Sequence, residues 1–182
     1  PTHQTDAYNL FVGNGINKLF ERALPEGAKT EENILRVRNL FLPHYDKHGH
    51  SYSEPYPGIA ELLNTLQDKG LKLAVASNKY QDATEKMVAH FFPAIAFISV
   101  LGQREGIPPK PDPSIVNEIL AKAGAGKEET LYIGDSGVDM ETVRNSGVIG
   151  AGVTWGFRPR KELERFAPHY IIDSAEEVLE LI

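Results

Sequence analysis

The first third of the chain has a helical pattern of apolar residues. In the stretches INKLFERAL and ENILRVRNLFLPHY, apolar residues recur three and four positions apart, which predicts two amphipathic helices. The predicted apolar stripes consist of Ile16, Leu19, Phe20 and Leu24 in the first helix and of Ile34, Val37, Leu40 and Phe41 in the second. The stretch SYSEPYPG then interrupts the pattern with two prolines and a glycine, and it is the predicted boundary of the helical region.

From Gly58 onward, short runs rich in β-branched and aromatic residues alternate with helical stretches. The predicted strands are Leu71–Asn78, Ala96–Gly102, Thr130–Ser136, Val148–Gly156 and His169–Ser174. Helical stretches such as IAELLNTLQDKG, DATEKMVAHFF and PSIVNEILAKAG lie between most of them. This alternation predicts an α/β fold with a doubly wound parallel sheet. We therefore expect a small helical domain at residues 1–56 and an α/β core domain at residues 57–182.

Composition narrows the class of protein. The 182 residues suffice for one ordinary domain or a core with a small appendage, and 41% hydrophobic with 24% charged residues is a globular balance. The absence of cysteine excludes disulfides and thiolate catalysis and favours a reducing cytoplasm. A net charge of −6 argues against general binding to nucleic acid or anionic membranes. No apolar stretch approaches the roughly 20 residues that span a bilayer, and the oligomeric state is left open.

Two aspartates four positions apart follow the third predicted strand, in the stretch TLYIGDSGVDM. Gly134 predicts a tight turn, so Asp135 and Asp139 can face one spot beyond the strand end, where ligands bind in doubly wound sheets. Magnesium is usually held by one or two carboxylates together with phosphate oxygens. Alternatively, Asp135 or Ser136 caps the following helix and Asp139 complements its dipole. The motif by itself does not decide between these interpretations.

Two further positions are candidates for binding an anion. Ser77, at the end of the first predicted strand, offers a hydroxyl beside the backbone N–H of Asn78, although small polar residues also end strands for purely structural reasons. Lys110 stands between prolines in GIPPKPDPS. The prolines stiffen this loop, which favours an aimed point charge over a solvated loop lysine.

Two motifs of the helical region have competing interpretations. In VGNG, two glycines bracket Asn14 ahead of a predicted helix, and free N–H groups there can meet an anion; a flexible loop is the simpler alternative. In PHYDKHGH, His44 and His48 have the spacing of a zinc-binding pair. A solvated helix end is the favoured interpretation, because the strong HExxH form is absent.

Taken together and in this order, VASNK, KPDP and GDSGVDM on alternating α/β structure resemble the haloacid dehalogenase superfamily of phosphatases. The resemblance covers nearly the whole chain. It implies that Ser77 and Asn78 bind phosphate, that Lys110 neutralises the nucleophile and phosphate, and that Asp135 and Asp139 bind Mg²⁺. The stretches VGNGINKLFERAL and GVTWGF are most similar to phosphoglycolate phosphatases. The helical region then resembles the family's cap, with Gly13 and Asn14 facing the substrate.

The resemblance implies hydrolysis of a small phosphomonoester, 2-phosphoglycolate first, through an aspartyl-phosphate intermediate. A sugar phosphomutase, a pyrophosphatase and a phosphonate hydrolase remain as alternatives, the last requiring a cap lysine among Lys18, Lys29 and Lys47. A non-catalytic phosphate-binding module is the alternative outside the enzymes. A dehalogenase is disfavoured because it works without metal, which would leave the acidic pair without a task.

The family's nucleophile motif, D-x-D-x-T, is not found in the sequence. No two of the aspartates are separated by a single residue; they are Asp6, Asp46, Asp68, Asp82, Asp112, Asp135, Asp139 and Asp173. In the family the strand that carries this motif is central, between the strands that end at Ser77 and Asp135. The resemblance therefore predicts a further segment of roughly 20 to 40 residues before Pro1, about one strand and a connecting helix, that carries the nucleophile.

Overall fold

The structure is a computed structural model that describes residues 3–182. In this range the α-helices are α1 (Ala7–Phe11), α2 (Ile16–Ala23), α3 (Glu31–His48), α4 (Ile59–Asp68), α5 (Gln81–Phe91), α6 (Ser114–Ala123), α7 (Gly137–Ser146) and α8 (Arg160–Glu164). The strands are β1 (Leu73–Tyr80), β2 (Phe97–Gln103), β3 (Leu131–Gly134), β4 (Ile149–Val153) and β5 (Tyr170–Ile172). Short 3₁₀ helices lie at Glu26–Ala28, Lys127–Glu129 and Glu176–Glu180. None of the described helices is both long and apolar enough to cross a membrane.

The strands form two parallel sheets. β1 pairs with β2, and β4 lies between β3 and β5. The predicted α/β class with parallel strands is therefore confirmed. The strand ends differ from the prediction. β1 continues past Asn78 to Tyr80, with an irregular register after Ala76, and β4 ends at Val153, before Gly156.

The helical region α1–α3 precedes every strand. α3 begins at the N-cap Thr30, whose side chain accepts from the amide of Asn33, and two glutamates follow in the first turn, where they complement the helix dipole. Phe20 is the one fully buried residue of these three helices. Leu40, predicted on the apolar stripe of α3, is 74% exposed. That detail of the prediction is wrong, because nothing in the described structure covers this face of α3.

Two clusters of buried apolar residues hold the α/β region together. The first core cluster consists of Leu101, Ile115, Val116, Leu120, Met140, Val143, Val148 and Leu163. The second consists of Leu62, Leu66, Ala151, Val153, Ile172, Ala175 and Val178. The first draws on α6, α7 and α8 and the second on α4 and the last 3₁₀ helix, so helices cover both faces of the sheets.

β1 and β3 contact the same two core clusters, although they are not paired with each other. Ala76 of β1 and Tyr132 of β3 pack against the first core cluster. Leu73 of β1 and Leu131 of β3 pack against the second. The two strands are thus layered between the same helices without sharing a hydrogen-bond ladder. We call the space between them the β1–β3 gap.

Strand burial reflects this gap. In β4, which has a neighbour on each side, Gly150–Val153 are all buried. β3 has no fully buried residue, and Ile133 is 38% exposed. On the α5 face of β1, the alternate residues Val75, Ser77 and Lys79 line a cavity of about 400 Å³ together with α5 and residues 53–56. β3 therefore leaves apolar surface uncovered at the gap, and the α5 face of β1 borders a cavity.

Candidate active site

A buried ion pair joins Lys110 to Asp139. The Nζ atom of Lys110 lies 2.7 Å from Oδ1 of Asp139, and each side chain is only 9% exposed. The ammonium also donates to the carbonyl oxygen of Ala76 and to the hydroxyl of Tyr132, at 2.9 and 3.0 Å. The Tyr132 hydroxyl in turn donates to Oδ1 of Asp139 at 2.9 Å. Lys110 therefore connects the last regular part of β1 to β3 and α7.

The protonation states follow from these contacts. Burial alone would lower the pKa of Lys110, but Tyr132 and Asp139 outweigh burial and raise that pKa above its ordinary value. Burial alone would raise the pKa of Asp139, but Lys110 and the hydroxyls of Ser136 and Tyr132 hold it below the usual range. Burial also raises the pKa of Tyr132. The site thus holds an ammonium, a carboxylate and a neutral phenol.

The start of α7 fixes Asp139. Ser136 is the N-cap, and its hydroxyl accepts from the Asp139 amide at 3.3 Å while donating to the Asp139 carboxylate at 2.5 Å. A side chain at Gly134 would collide with Asp139, so glycine is required for β3 to pass this close to α7. The helix-capping interpretation of this motif is therefore confirmed for Ser136. Ser136 caps the helix, and Asp139 also keeps its hydrogen bonds with Lys110 and Tyr132.

Asp135 has a different environment from Asp139. Its Oδ2 atom accepts from the backbone N–H of Phe157 at 3.2 Å. Burial, and then the negative charge of Asp139, raise the pKa of Asp135. Gly156 passes so close to this carboxylate that a Cβ atom there would collide with it. Asp135 is thus a carboxylate whose charge is poorly compensated by the protein, which is a reason to bind a cation.

The donor set fits a magnesium ion in part. Asp135 offers a hard oxygen ligand with an uncompensated charge, whereas both oxygens of Asp139 already accept hydrogen bonds from Lys110, Tyr132 and Ser136. Within residues 3–182 no three His, Asp or Glu side chains converge on a metal position. Magnesium commonly takes only one or two protein carboxylates and completes its shell with water and phosphate. The fit is therefore better for Asp135 than for Asp139.

Ser77 and Asn78 lie beside Lys110. The hydroxyl oxygen of Ser77 accepts from the amide of Lys79 at 3.1 Å, so its hydrogen is left to donate. The side chain of Asn78 donates to the carbonyl of Lys110 at 2.9 Å and accepts from the Lys110 amide at 2.8 Å. Asn78 is 7% exposed. Its amide group thus holds the loop that carries Lys110.

The loop between α1 and α2, at Gly13–Gly15, is close to the same residues. The carbonyl of Gly13 accepts from the Asn78 side chain at 3.0 Å. The side-chain oxygen of Asn14 accepts from Arg22 at 2.8 Å. Gly13 and Gly15 have positive φ angles of 112° and 87°, which glycine adopts at little cost. The structure therefore brings Gly13 into the group around Lys110 and directs the Asn14 side chain toward Arg22 of α2.

Three parts of the site were not predicted from the sequence. Tyr132 bridges Lys110 and Asp139. The sequence feature that could have indicated it is its position in β3, two residues before Gly134. The Phe157 backbone N–H contacts Asp135 and left no side-chain signal. The same applies to the carbonyl of Ala76, which accepts from Lys110.

The histidines of α3 do not join this site. The rings of His44 and His48 lie 4.8 Å apart, centroid to centroid, and both residues are exposed. This agrees with the solvated helix end that the sequence favoured.

A parallel α/β fold with a buried lysine–aspartate pair and a second carboxylate beyond the strand ends defines a class of phosphoryl-transfer hydrolases. The family profile described as haloacid dehalogenase-like hydrolase matches residues 2–153. The chain belongs to this family, and it is a hydrolase of the phosphatase type.

Individual relatives narrow the comparison. The chain is 30% identical to a phosphoglycolate phosphatase of Vibrio parahaemolyticus, over 94% of this chain and 78% of the relative. It is also 30% identical to a pyrophosphatase of Halalkalibacterium halodurans, over 94% of this chain and 77% of the relative. A crystal structure from Lactobacillus delbrueckii, assigned as a phosphoglycolate phosphatase, superposes with a TM-score of 0.91. It has 32% identity and covers 99% of this chain and 83% of its own.

Proposed function

We propose that the protein is a Mg²⁺-dependent phosphatase of a small phosphorylated metabolite, with 2-phosphoglycolate as the first candidate substrate. The observation that carries the proposal is the buried Lys110–Asp139 pair next to the poorly compensated carboxylate of Asp135. A cation and a metal-binding carboxylate at one strand end suit the charge of a phosphoryl group. The relatives named phosphoglycolate phosphatase support the substrate.

Each residue has a distinct task in this proposal. Asp135, with Asp139 in support, holds the magnesium ion, which when bound would neutralise charge on phosphate oxygens. The positive charge of Lys110 stabilises the same group of oxygens, and the Ser77 hydroxyl donates to them. Asn78 keeps Lys110 in place through its two hydrogen bonds. Residues 1–56 act as a cap, in which Gly13 and the backbone of Asn14 border the substrate and help to exclude water.

The attacking carboxylate belongs, in this proposal, to a strand that fills the β1–β3 gap and comes from a segment outside the 182 residues. Unpaired edges within a sheet are costly because their N–H and C=O groups lose partners. The gap also leaves Ile133 exposed and opens beside Lys110. An aspartate at the end of such a strand would attack phosphorus and form an aspartyl-phosphate, which water then hydrolyses. Lys110 lies where it can compensate both carboxylate and phosphate.

A pyrophosphatase is the second candidate, because one relative at the same identity carries that name. Both activities need the same cation and metal site and differ in the leaving group, which the cap contacts. The proposed partners are small phosphorylated metabolites, and neither nucleic acid nor a membrane. The proposed location is the cytoplasm.

The test is phosphate release by a longer polypeptide that includes the preceding segment, assayed with and without Mg²⁺. The substrates are 2-phosphoglycolate, pyrophosphate, hexose phosphates and phosphonoacetaldehyde. We expect Mg²⁺-dependent turnover with a preference for 2-phosphoglycolate, and none from the 182-residue chain. Full activity of the 182-residue chain would refute the proposed nucleophile, and a preference for pyrophosphate would select the second candidate. Absence of hydrolysis of the whole panel by the longer polypeptide would instead favour a binding module.

A further inference from the structure

Arg158 follows β4 and has no role in the chemistry above, yet its side chain is only 13% exposed. Its Nη2 atom donates to the backbone carbonyls of Leu10 and Val12, at 3.2 and 2.8 Å. These acceptors lie almost the whole chain length away from Arg158, in the cap. A guanidinium that is largely shielded from water depends on such acceptors. The position of the cap segment Leu10–Val12 therefore decides whether Arg158 is satisfied.

The other side of Arg158 faces the segment Asp135–Asp139 that follows β3, which we call the acidic loop. Its Nε atom lies 3.8 Å from Oε1 of Glu162. The same oxygen accepts from the backbone N–H of Gly137 at 2.9 Å, and Gly137 is the first residue of α7, which carries Asp139. A side chain at Gly137 would collide with Phe166 and press on Glu162, so this close approach depends on glycine.

A second connection runs through the backbone. The residue before Arg158 is Phe157, whose N–H donates to the carboxylate of Asp135. The backbone of Phe157 therefore links the position of Arg158 to the carboxylate of Asp135. Both carboxylates of the acidic loop, Asp135 directly and Asp139 through the helix start, are thus connected to Arg158.

We propose that Arg158 is a positioning residue that couples the cap segment Leu10–Val12 to the acidic loop at Asp135–Asp139. The proposal rests on the proposed function for the movement of the cap and for the magnesium-binding role of that loop. When the cap segment leaves the core, Arg158 loses two acceptors and turns toward solvent. Glu162 then loses its partner, and the Gly137 and Phe157 amides lose their fixed acceptors. Cap opening and loosening of the acidic loop become one event.

The experiment is amide hydrogen exchange on the longer polypeptide that includes the preceding segment, read by NMR at single amides. Arg158→Ala is compared with Arg158→Lys and with the control Arg160→Ala. Arg160 stands in the same segment but pairs with Glu164 and Asp173 and is 48% exposed. We expect Arg158→Ala to speed exchange about tenfold at Val12 and also at Gly137 and Phe157. Arg158→Lys, which keeps the charge but fewer donors, should lie between, and Arg160→Ala should match wild type.

Glu162→Ala tests the route. It removes the acceptor of the Gly137 amide, so adding Arg158→Ala to it should speed exchange at Gly137 no further, a non-additive result that indicates coupling. Faster exchange at Val12 alone, or equal effects of Arg158→Ala and Arg160→Ala, would overturn the proposal. If Arg158→Ala does not fold, exchange in Arg158→Lys is measured at the same three amides, those of Val12, Gly137 and Phe157. Because exchange needs no turnover, the result is independent of whether the chain is a phosphatase.

Discussion

Asn78 and Lys110 are joined by two hydrogen bonds that run in opposite directions. The Asn78 side chain accepts from the Lys110 amide at 2.8 Å and donates to the Lys110 carbonyl at 2.9 Å. Its second amide hydrogen is donated to the carbonyl of Gly13, between α1 and α2. One buried side chain therefore holds both the loop that carries Lys110 and the loop at Gly13.

We predict that Asn78→Ala lowers the free energy of unfolding by about 2–4 kcal/mol, because three part-buried hydrogen bonds to backbone groups are lost. Asn78→Asp should be at least as harmful, since a carboxylate would face two carbonyl oxygens. Urea denaturation followed by circular dichroism measures both variants. The matched control is Asn64→Ala, because Asn64 is exposed and bonds only within its own helix. Equal stability of the Asn78 and Asn64 variants would contradict the role of Asn78.

Asp135→Asn and Asp139→Asn should change stability in opposite directions at pH 7. Burial and the negative charge of Asp139 raise the pKa of Asp135, so its charge costs folding free energy, and the Asp135→Asn substitution should stabilise the metal-free protein. Asp139→Asn leaves Lys110 buried without its counter-ion and should destabilise by about 3–5 kcal/mol. Thermal unfolding in EDTA compares the two variants. Destabilisation by both would show that Asp135 is compensated by the protein after all.

In EDTA, Asp135→Asn is expected to be more stable than wild type. With Mg²⁺ present, wild type should be the more stable of the two. Titration calorimetry should show Mg²⁺ binding to wild type and little to Asp135→Asn. A loss of binding in Asp139→Asn as large as that in Asp135→Asn would restore Asp139 as an equal ligand.

Lys110→Met should abolish turnover of the longer polypeptide, because the cation acts on charge that develops at phosphorus. It should also cost about 3–5 kcal/mol of stability, since Asp139 is left buried and unpaired. Steady-state kinetics and urea denaturation are the measurements, with Lys122→Met on the exposed side of α6 as the control. A wild-type kcat in Lys110→Met would exclude the proposed role.

The acid side of the stability curve should carry two opposite contributions. The depressed pKa of Asp139 gives stability that is complete above its unfolded value of 3.8 and is lost as pH falls through the lower folded value. Asp135 has its pKa raised above 3.8, so its protonation between the two values favours the folded state. Urea midpoints between pH 3 and 7 should show the gap between wild type and Asp139→Asn narrowing only below about pH 4. A gap that narrows already near pH 6 would contradict this assignment.

Much of the site follows from the order of elements. Parallel strands bring their carboxyl ends to one edge, and the proline-flanked loop brings Lys110 to Ala76 of β1 and Tyr132 of β3. The unequal roles of Asp135 and Asp139 were not predictable, because they depend on which side chains surround each carboxylate. A sequence shows two aspartates following one strand. Only the fold shows that Tyr132 and Lys110 donate hydrogen bonds to Asp139.

The contacts of Arg158 with Leu10 and Val12 were equally beyond a reading of the sequence. Backbone carbonyls have no identity in the sequence, and the partners lie at opposite ends of the chain. The misplaced Leu40 has a related cause: helical periodicity predicts a stripe, but whether another element covers the stripe is a tertiary property.

The β1–β3 gap restricts any strand that enters it. Neighbouring residues of a strand point to opposite faces of the sheet, and here one face meets the first core cluster and the other meets the second. A slip of one residue would exchange every side chain between the two faces. The apolar residues of the incoming strand, by matching these two surfaces, would therefore set the registration. The distance from its catalytic carboxylate to Lys110 would be determined by packing several residues away from the chemistry.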